Sequence, residues 1–202
     1  ITYEKNNFDH EMELNGLMKI DSEFDKFIIN KKYNHQKNIF DIFADLNLTN
    51  ANVTIPKLNF NKKKHLDANL QIETNFNIKK YYNIKSLNFT SNKSKLLFSN
   101  LKLNEKFKVD NFKSIEAKTF LNDKLNNDFK INNKEDNIEV IGNVYDAQPL
   151  LKSLYINDDK KTFSKNFNKD IKINIKNVYT GTDDDISDFS MISTVKEGSY
   201  DK

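Results

Sequence analysis

The chain has 202 residues, enough for one large domain or two small ones with a substantial core. It is 37% hydrophobic and 30% charged, and its 16 Phe and 8 Tyr exclude a disordered chain, which would be poor in large rings. The 32 basic and 29 acidic side chains are interspersed, so a net charge of +3 supplies none of the concentrated positive field a nucleic-acid partner requires. With no cysteine, disulfides, zinc thiolates, iron–sulfur clusters and thiol nucleophiles are excluded together.

In chain order, the opening stretch Ile1-Thr2-Tyr3-Glu4-Lys5 does not resemble a signal peptide. Met12, Leu14, Gly16, Met18 and Ile20 then alternate with polar residues, which is the period of a strand with one buried and one wet face. Residues 36–44 are ambiguous, because Ile39, Phe40 and Phe43 fit a helical face while Phe40, Ile42, Ala44, Leu46 and Leu48 fit a strand. Val53 and Ile55 alternate next, and the basic run Lys62-Lys63-Lys64-His65 reads as a solvated turn. The clearest strand follows, with Leu66, Ala68, Leu70, Ile72, Thr74, Phe76 and Ile78 on one face and Asp67, Asn69, Gln71 and Glu73 on the other.

Shorter runs continue through Leu87 and Phe89, Leu101 and Leu103, and Ile115, Ala117 and Thr119. Leu125, Asn127, Phe129 and Ile131 lead through the polar loop 132–137 to Ile138, Val140, Gly142 and Val144, a hairpin pattern. Residues 146–155 break the rhythm: a polar start, Pro149 near the first helical position, and Leu150, Leu151 and Leu154 at helical spacing predict a short helix. Ile171, Ile173 and Ile175 resume the alternation. Gly181-Thr182-Asp183-Asp184-Asp185 reads as a turn, since it lacks the spaced ligands and distant Glu of an EF-hand. Phe189, Met191, Ser193 and Val195 close the series.

About ten or more strands joined by short loops predict an antiparallel sheet with one apolar face. With only four glycines, its turns must lean on Asn and Asp. No apolar run reaches the ~20 residues needed to cross a bilayer. Both ends look cut from a longer chain, which places any anchoring segment outside this sequence. The search for chemistry finds no Gly-rich phosphate loop, no zinc-type His pair and no nucleophile elbow, and His10, His35 and His65 are scattered. The expectation is a non-enzyme with no cofactor and no metal.

Two stretches carry a resemblance. The first is Asp45-Leu46-Asn47-Leu48-Thr49-Asn50-Ala51-Asn52-Val53-Thr54-Ile55-Pro56-Lys57-Leu58, followed by Lys62-Lys63-Lys64. The second is Gly142-Asn143-Val144-Tyr145-Asp146-Ala147-Gln148-Pro149-Leu150-Leu151. In order and spacing they resemble AsmA-like proteins, in particular the YhdP- and TamB-related members, over most of the chain from Leu14 to Val195. The pattern departs at Asn50, where glycine is usual.

The resemblance implies that residues 1–202 form a single β-rich segment of a larger AsmA-like protein. It implies a fold that is mainly β: a long twisted antiparallel sheet forming an open groove, with one short helix. Periodicity alone, without the resemblance, favours a closed β-sandwich instead. The implied function is phospholipid binding or transport towards the outer membrane, on the periplasmic side of a bacterial inner membrane, with the membrane reached through a helix outside this sequence. The implied partners are phospholipid acyl chains and neighbouring β segments of the same chain, with no nucleic acid. The expected lipid-facing residues are Leu46, Leu48, Leu66, Ala68, Leu70, Ile72, Leu101, Leu103, Ile171, Ile173 and Ile175. The alternative role is a non-catalytic scaffold in envelope assembly.

Overall fold

The structure, a computed structural model, describes residues 9–20, 22–77, 81–104, 109–155, 168–181, 185–197 and 199–200. Its strands in chain order are β1 (Asp9–Ile20), β2 (Glu23–Asn34), β3 (Ile39–Asn47), β4 (Val53–Ile55), β5 (Phe60–Lys62), β6 (Ala68–Asn77), β7 (Tyr81–Ser91) and β8 (Ser94–Leu103). They continue as β9 (Val109–Asn111), β10 (Ser114–Leu121), β11 (Lys124–Asn133), β12 (Asn137–Asp146), β13 (Lys169–Tyr179), β14 (Ile186–Lys196) and β15 (Ser199–Tyr200). A 3-10 turn, Pro56–Leu58, joins β4 to β5, and the helix α1 is Gln148–Tyr155. The chain divides into two units, the first made of Ile1–Asn52 and Lys62–Lys113, the second of Val53–Asn61 and Ser114–Lys202.

In the first unit the strands lie in the order β1-β2-β3-β6-β7-β8, with β9 beside β8, and every pairing is antiparallel. Among the described residues β1 has β2 as its one neighbour, so this sheet does not close on itself. Residues 36–44, ambiguous in sequence, resolve as strand from Ile39, because Phe40, Ile42, Ala44 and Leu46 meet Phe76, Thr74, Ile72 and Leu70 across the ladder. The turns use Asn and Asp as expected: Asn38, Asn92, Asn122 and Asp123 all have positive φ. Consecutive positive φ at Asn122 and Asp123 is what a type I′ hairpin turn requires.

Two irregularities keep one face apolar. Ile84 pairs with Leu101 and Ser86 with Ser99, so Lys85 and Asn100 lie unmatched as adjacent bulges. Asn100 takes φ 50°, a left-handed value that Asn tolerates. The extra residue in each strand resets the alternation, which brings Ile84 to the same face as Leu87, and Leu101 to the same face as Phe98.

In the second unit the order is β10-β11-β12-β13-β14-β15. The antiparallel expectation needs one correction: β12 and β13 run parallel, with Val140 opposite Ile173 and Gly142 opposite Ile175. Parallel neighbours cannot be joined by a tight turn and need a crossover of a dozen or more residues. The connection from Asp146 to Lys169, which contains α1, is that crossover. Ala147, Ile175 and Val178 form a buried cluster, with Val140, Tyr145, Leu151, Ile173 and Phe189 packed against it. Leu151, on α1, shows that the helix covers part of this face. The turn read at Gly181-Thr182-Asp183-Asp184-Asp185 has its centre, 182–184, outside the described residues.

The fold is therefore mainly β and open, with one short helix among the described residues, and the closed sandwich does not form.

Candidate functional site

The apolar face of the first unit is built in rows across the strands. Leu14, Ile29, Ala44, Ile72, Leu87 and Phe98 make one row, and Gly16, Phe27, Leu46, Leu70, Phe89 and Leu96 the next. These central positions are flanked by strands on both sides, so a covering layer would bury them completely. Only Phe89 and Leu96 of these two rows are fully buried; Phe27, Ile29, Leu46, Leu70 and Ile72 are half-buried, and Leu14 at the edge is 48% exposed. Among the described residues the first unit contains no helix to lay over this face. Water contact on so much contiguous apolar surface is unfavourable at roughly 25 cal/mol per Å², so such a patch marks a place where something binds.

The reverse face is polar, as the alternation predicts. Asp45 accepts hydrogen bonds from Asn69 Nδ2 at 2.5 Å and Gln71 Nε2 at 3.1 Å, and Lys85 Nζ lies 2.7 Å from Asp41 Oδ1.

The structure brings most of the expected lipid-facing residues together and separates others. Leu46 and Leu70 are directly paired, Ile72 lies one row on, and Leu101 and Leu103 join the same face through the bulges. Ala68 is buried, with its carbonyl accepting from the Leu48 main-chain N–H at 2.9 Å, which sets Leu48 just beyond the last β3–β6 pair. Leu66 precedes β6 and is largely exposed. Ile171, Ile173 and Ile175 lie on β13 of the second unit. Ile171 and Ile175 are buried, and Ile175 is already packed against Ala147 and Val178.

Sequence reasoning missed β2 altogether, and with it Phe27, Ile29, Lys31 and Tyr33 on the apolar face. A row of rings also went unread: Tyr33 stacks on Phe40 at 4.4 Å between centroids, Phe40 on Phe76 at 5.1 Å, and Phe76 reaches Tyr82 at 6.0 Å. The signal for it was present as an aromatic residue near the same end of successive strands.

The basic run needs correcting. Lys62 is not solvated but 2% exposed, and its ammonium donates to three main-chain carbonyls, Leu48 O at 2.5 Å, Thr49 O at 2.7 Å and Ala51 O at 2.8 Å. Burial lowers its pKa, while the charges of Asp25 and Asp67 act the other way. Asp25 is also buried, and its carboxylate accepts the Asn50 N–H. Lys62 thus fastens the 48–51 turn, so three hydrogen bonds hold a charge where a run of three lysines suggests water. Lys63 beside it is exposed, as the sequence implied.

A second fastening lies in the other unit. Thr119 and Asn127 are each 0% exposed, and Asn126 and Asp146 are buried with them. Asn127 Nδ2 donates to Leu58 O at 2.8 Å and to Thr119 Oγ1 at 2.9 Å, while Asn127 Oδ1 accepts from the Asp146 N–H. Asn126 Nδ2 donates to the same Leu58 O at 3.1 Å, and Thr119 Oγ1 donates to Asn126 Oδ1. Asp146 accepts from Asn59 Nδ2 at 2.9 Å with one carboxylate oxygen and from the Gln148 N–H at the start of α1 with the other. A buried polar network of this kind is stable because each member is satisfied. The two stretches on which the resemblance rests, around Leu58 and around Asp146, therefore meet in space. Gly142 belongs to the second stretch for a steric reason: an added Cβ would lie 2.6 Å from Phe129 Cβ and 2.7 Å from Asp128 O.

No protein-family model, no curated protein and no solved structure matches the chain.

What the chain offers chemically must therefore be read from its own residues. Among the described residues no group of three His, Asp or Glu side chains is placed to hold a metal, and no helix is long and apolar enough to cross a membrane. The buried charges are occupied: Lys62 by carbonyls, Asp25 by the Asn50 N–H, and Asp146 by Asn59 and the start of α1, while Asn75, Asn83, Asn88 and Asn137 each keep a buried side-chain oxygen without a hydrogen-bond partner. The extended feature left without an internal role among the described residues is the open apolar face.

Proposed function

We propose that this chain is a segment of an AsmA-like envelope protein whose β wall binds or conducts phospholipid acyl chains. In this reading it lies on the periplasmic side of the inner membrane of a diderm bacterium, anchored by a helix outside this sequence, and moves lipid towards the outer membrane. The observation that carries the proposal is the half-exposed apolar face of the first unit, several rows deep and polar on its reverse. Acyl chains suit such a face because they need hydrocarbon contact and no directional bonds. The meeting of the Leu58 and Asp146 stretches supports the same reading, since it gives the shared residues a common structural task. The expected lipid contacts centre on Leu46, Leu70, Ile72, Leu101 and Leu103.

The test uses photo-crosslinking residues placed at 70 and at 71. Strand side chains alternate, so lipid adducts are expected from position 70 and not from 71. Equal labelling from both positions contradicts the model. Native mass spectrometry of the purified chain adds a second readout: co-purifying phospholipid supports the wall, whereas a folded chain that never retains lipid favours a non-catalytic scaffold that pairs through β1, the edge strand among the described residues.

A further inference from the structure

We infer that the lipid wall of the first unit is polar in direction, with Lys31 and the ring row forming the end that receives a net anionic phospholipid headgroup. The inference rests on the lipid reading above and adds the class of lipid and its orientation.

Along β2 the apolar face carries a carboxylate at one end and a cation towards the other. Its members there are Asp25, Phe27, Ile29, Lys31 and Tyr33. Asp25 is buried and engaged by the Asn50 N–H. Lys31 is half-buried, sits opposite Met12 on one side and Ile42 on the other, and holds its ammonium 4.6 Å from the centre of the Phe40 ring. No carboxylate among the described residues lies within ion-pairing distance of it, in contrast to Lys32 on the reverse face, 2.8 Å from Glu11. A cation placed on apolar surface with only a ring as partner is costly to desolvate and is stabilised by an incoming anion.

Next to Lys31 the face ends in the row Tyr33, Phe40, Phe76 and Tyr82. Rings with polar tips prefer the level where hydrocarbon meets water, which is the level of a headgroup. From Asp25 to Lys31 is six residues of strand, about 20 Å. One leaflet's share of a ~30 Å hydrocarbon core fits within that length. At the Asp25 end the carboxylate and the Lys62 ammonium are both buried and act on each other, so a phosphate finds no free cation there. At the Lys31 end it meets an ammonium with no carboxylate partner among the described residues, and charge favours that direction.

The experiment loads the protein from vesicles containing equal parts phosphatidylglycerol and phosphatidylcholine with identical acyl chains, and reads bound lipid by native mass spectrometry. The chain is expected to prefer phosphatidylglycerol about fivefold, from one Lys acting on an anionic headgroup. Lys31→Met keeps the apolar stem and is expected to remove the preference while retaining total lipid, and Lys32→Met is expected to leave it intact. Equal uptake of both lipids by the unaltered chain, or a preference that survives Lys31→Met, overturns the inference and leaves the lipid wall standing. If Lys31→Met fails to fold, Lys31→Gln provides the same comparison. Retention of neither lipid by the unaltered chain overturns the lipid reading itself, and this inference with it.

Discussion

Replacing Lys62 by Met removes an ammonium from three carbonyls, and the structure says how unequal the three losses are. Leu48 O also accepts from the Ala51 N–H, and Thr49 O from the His65 N–H, so each keeps a main-chain donor. Ala51 O has Lys62 as its one donor among the described residues and is left unpaired. An orphaned buried carbonyl costs about 1–3 kcal/mol, and losing a charge-assisted bond at a carbonyl that keeps another donor costs about 1 kcal/mol each. Methionine recovers part of this, because the variant no longer desolvates a charge, and the net loss is about 2–4 kcal/mol. Urea unfolding of the 202-residue chain measures it, with exposed Lys63→Met as the control at less than about 0.5 kcal/mol.

The pH dependence supplies a second check with a definite sign. Lys62 has its folded pKa lowered below 10.5, so below that folded value both states are protonated and the burial penalty is fully present. As pH rises from the folded value towards 10.5 the unfolded chain holds a proton the folded one has released, and the unaltered protein gains stability. The gap between it and Lys62→Met therefore widens in that window. Tyr145, pushed up by burial and then by Asp146, titrates alike in both proteins and cancels. A Lys62→Met chain as stable as the parent, with a gap that does not change with pH, would refute the reasoning.

Three further outcomes follow from contacts already described. Leu70→Asp puts a carboxylate on a half-buried wall, so thermal unfolding of the chain is expected to shift little while lipid retention falls; complete unfolding would mean the face is core. Gly142→Ala forces a methyl against Phe129 and Asp128 O and is expected to cost about 1–3 kcal/mol in urea unfolding, with little change for Gly16→Ala, whose added Cβ meets only the Phe27 ring at 3.4 Å. Asn127→Ala leaves the Asp146 N–H without its side-chain acceptor and is expected to cost about 2–3 kcal/mol, visible also as faster amide exchange at the start of α1.

Much of the fold was legible because period two survives wherever one face is covered and the other wet. The run through Ala68, Leu70, Ile72 and Thr74 became β6, and Pro149 with Leu150 and Leu151 marked α1 at nearly its observed bounds. β2 was illegible because Ile28 is apolar on the polar face and Lys31 is charged on the apolar one, which spoils the alternation at both positions. The bulges at Lys85 and Asn100 hid the continuity of the wall, since they move Ile84 and Leu101 into phase with neighbours that a strict alternation assigns to the other side. The parallel pairing of β12 with β13 was invisible in principle, as the choice of partner is non-local and both pairings share one side-chain period. Lys62 was misread because a run of three lysines carries no local sign that its first member meets carbonyls 11 to 14 residues earlier.

The second unit borrows a piece of chain, Val53–Asn61, from between two strands of the first. The borrowed piece supplies the Leu58 and Asn59 carbonyls and the Asn59 side chain that Asn126, Asn127 and Asp146 hold. Cutting the chain after Lys113 would therefore yield a C-terminal fragment that has lost its own ligands and must solvate or collapse around them. Neither unit is a transferable cassette. Such a segment cannot be duplicated, shortened or swapped between proteins by a single break in the chain, and its length is expected to change only by whole additions at its ends or within its exposed turns.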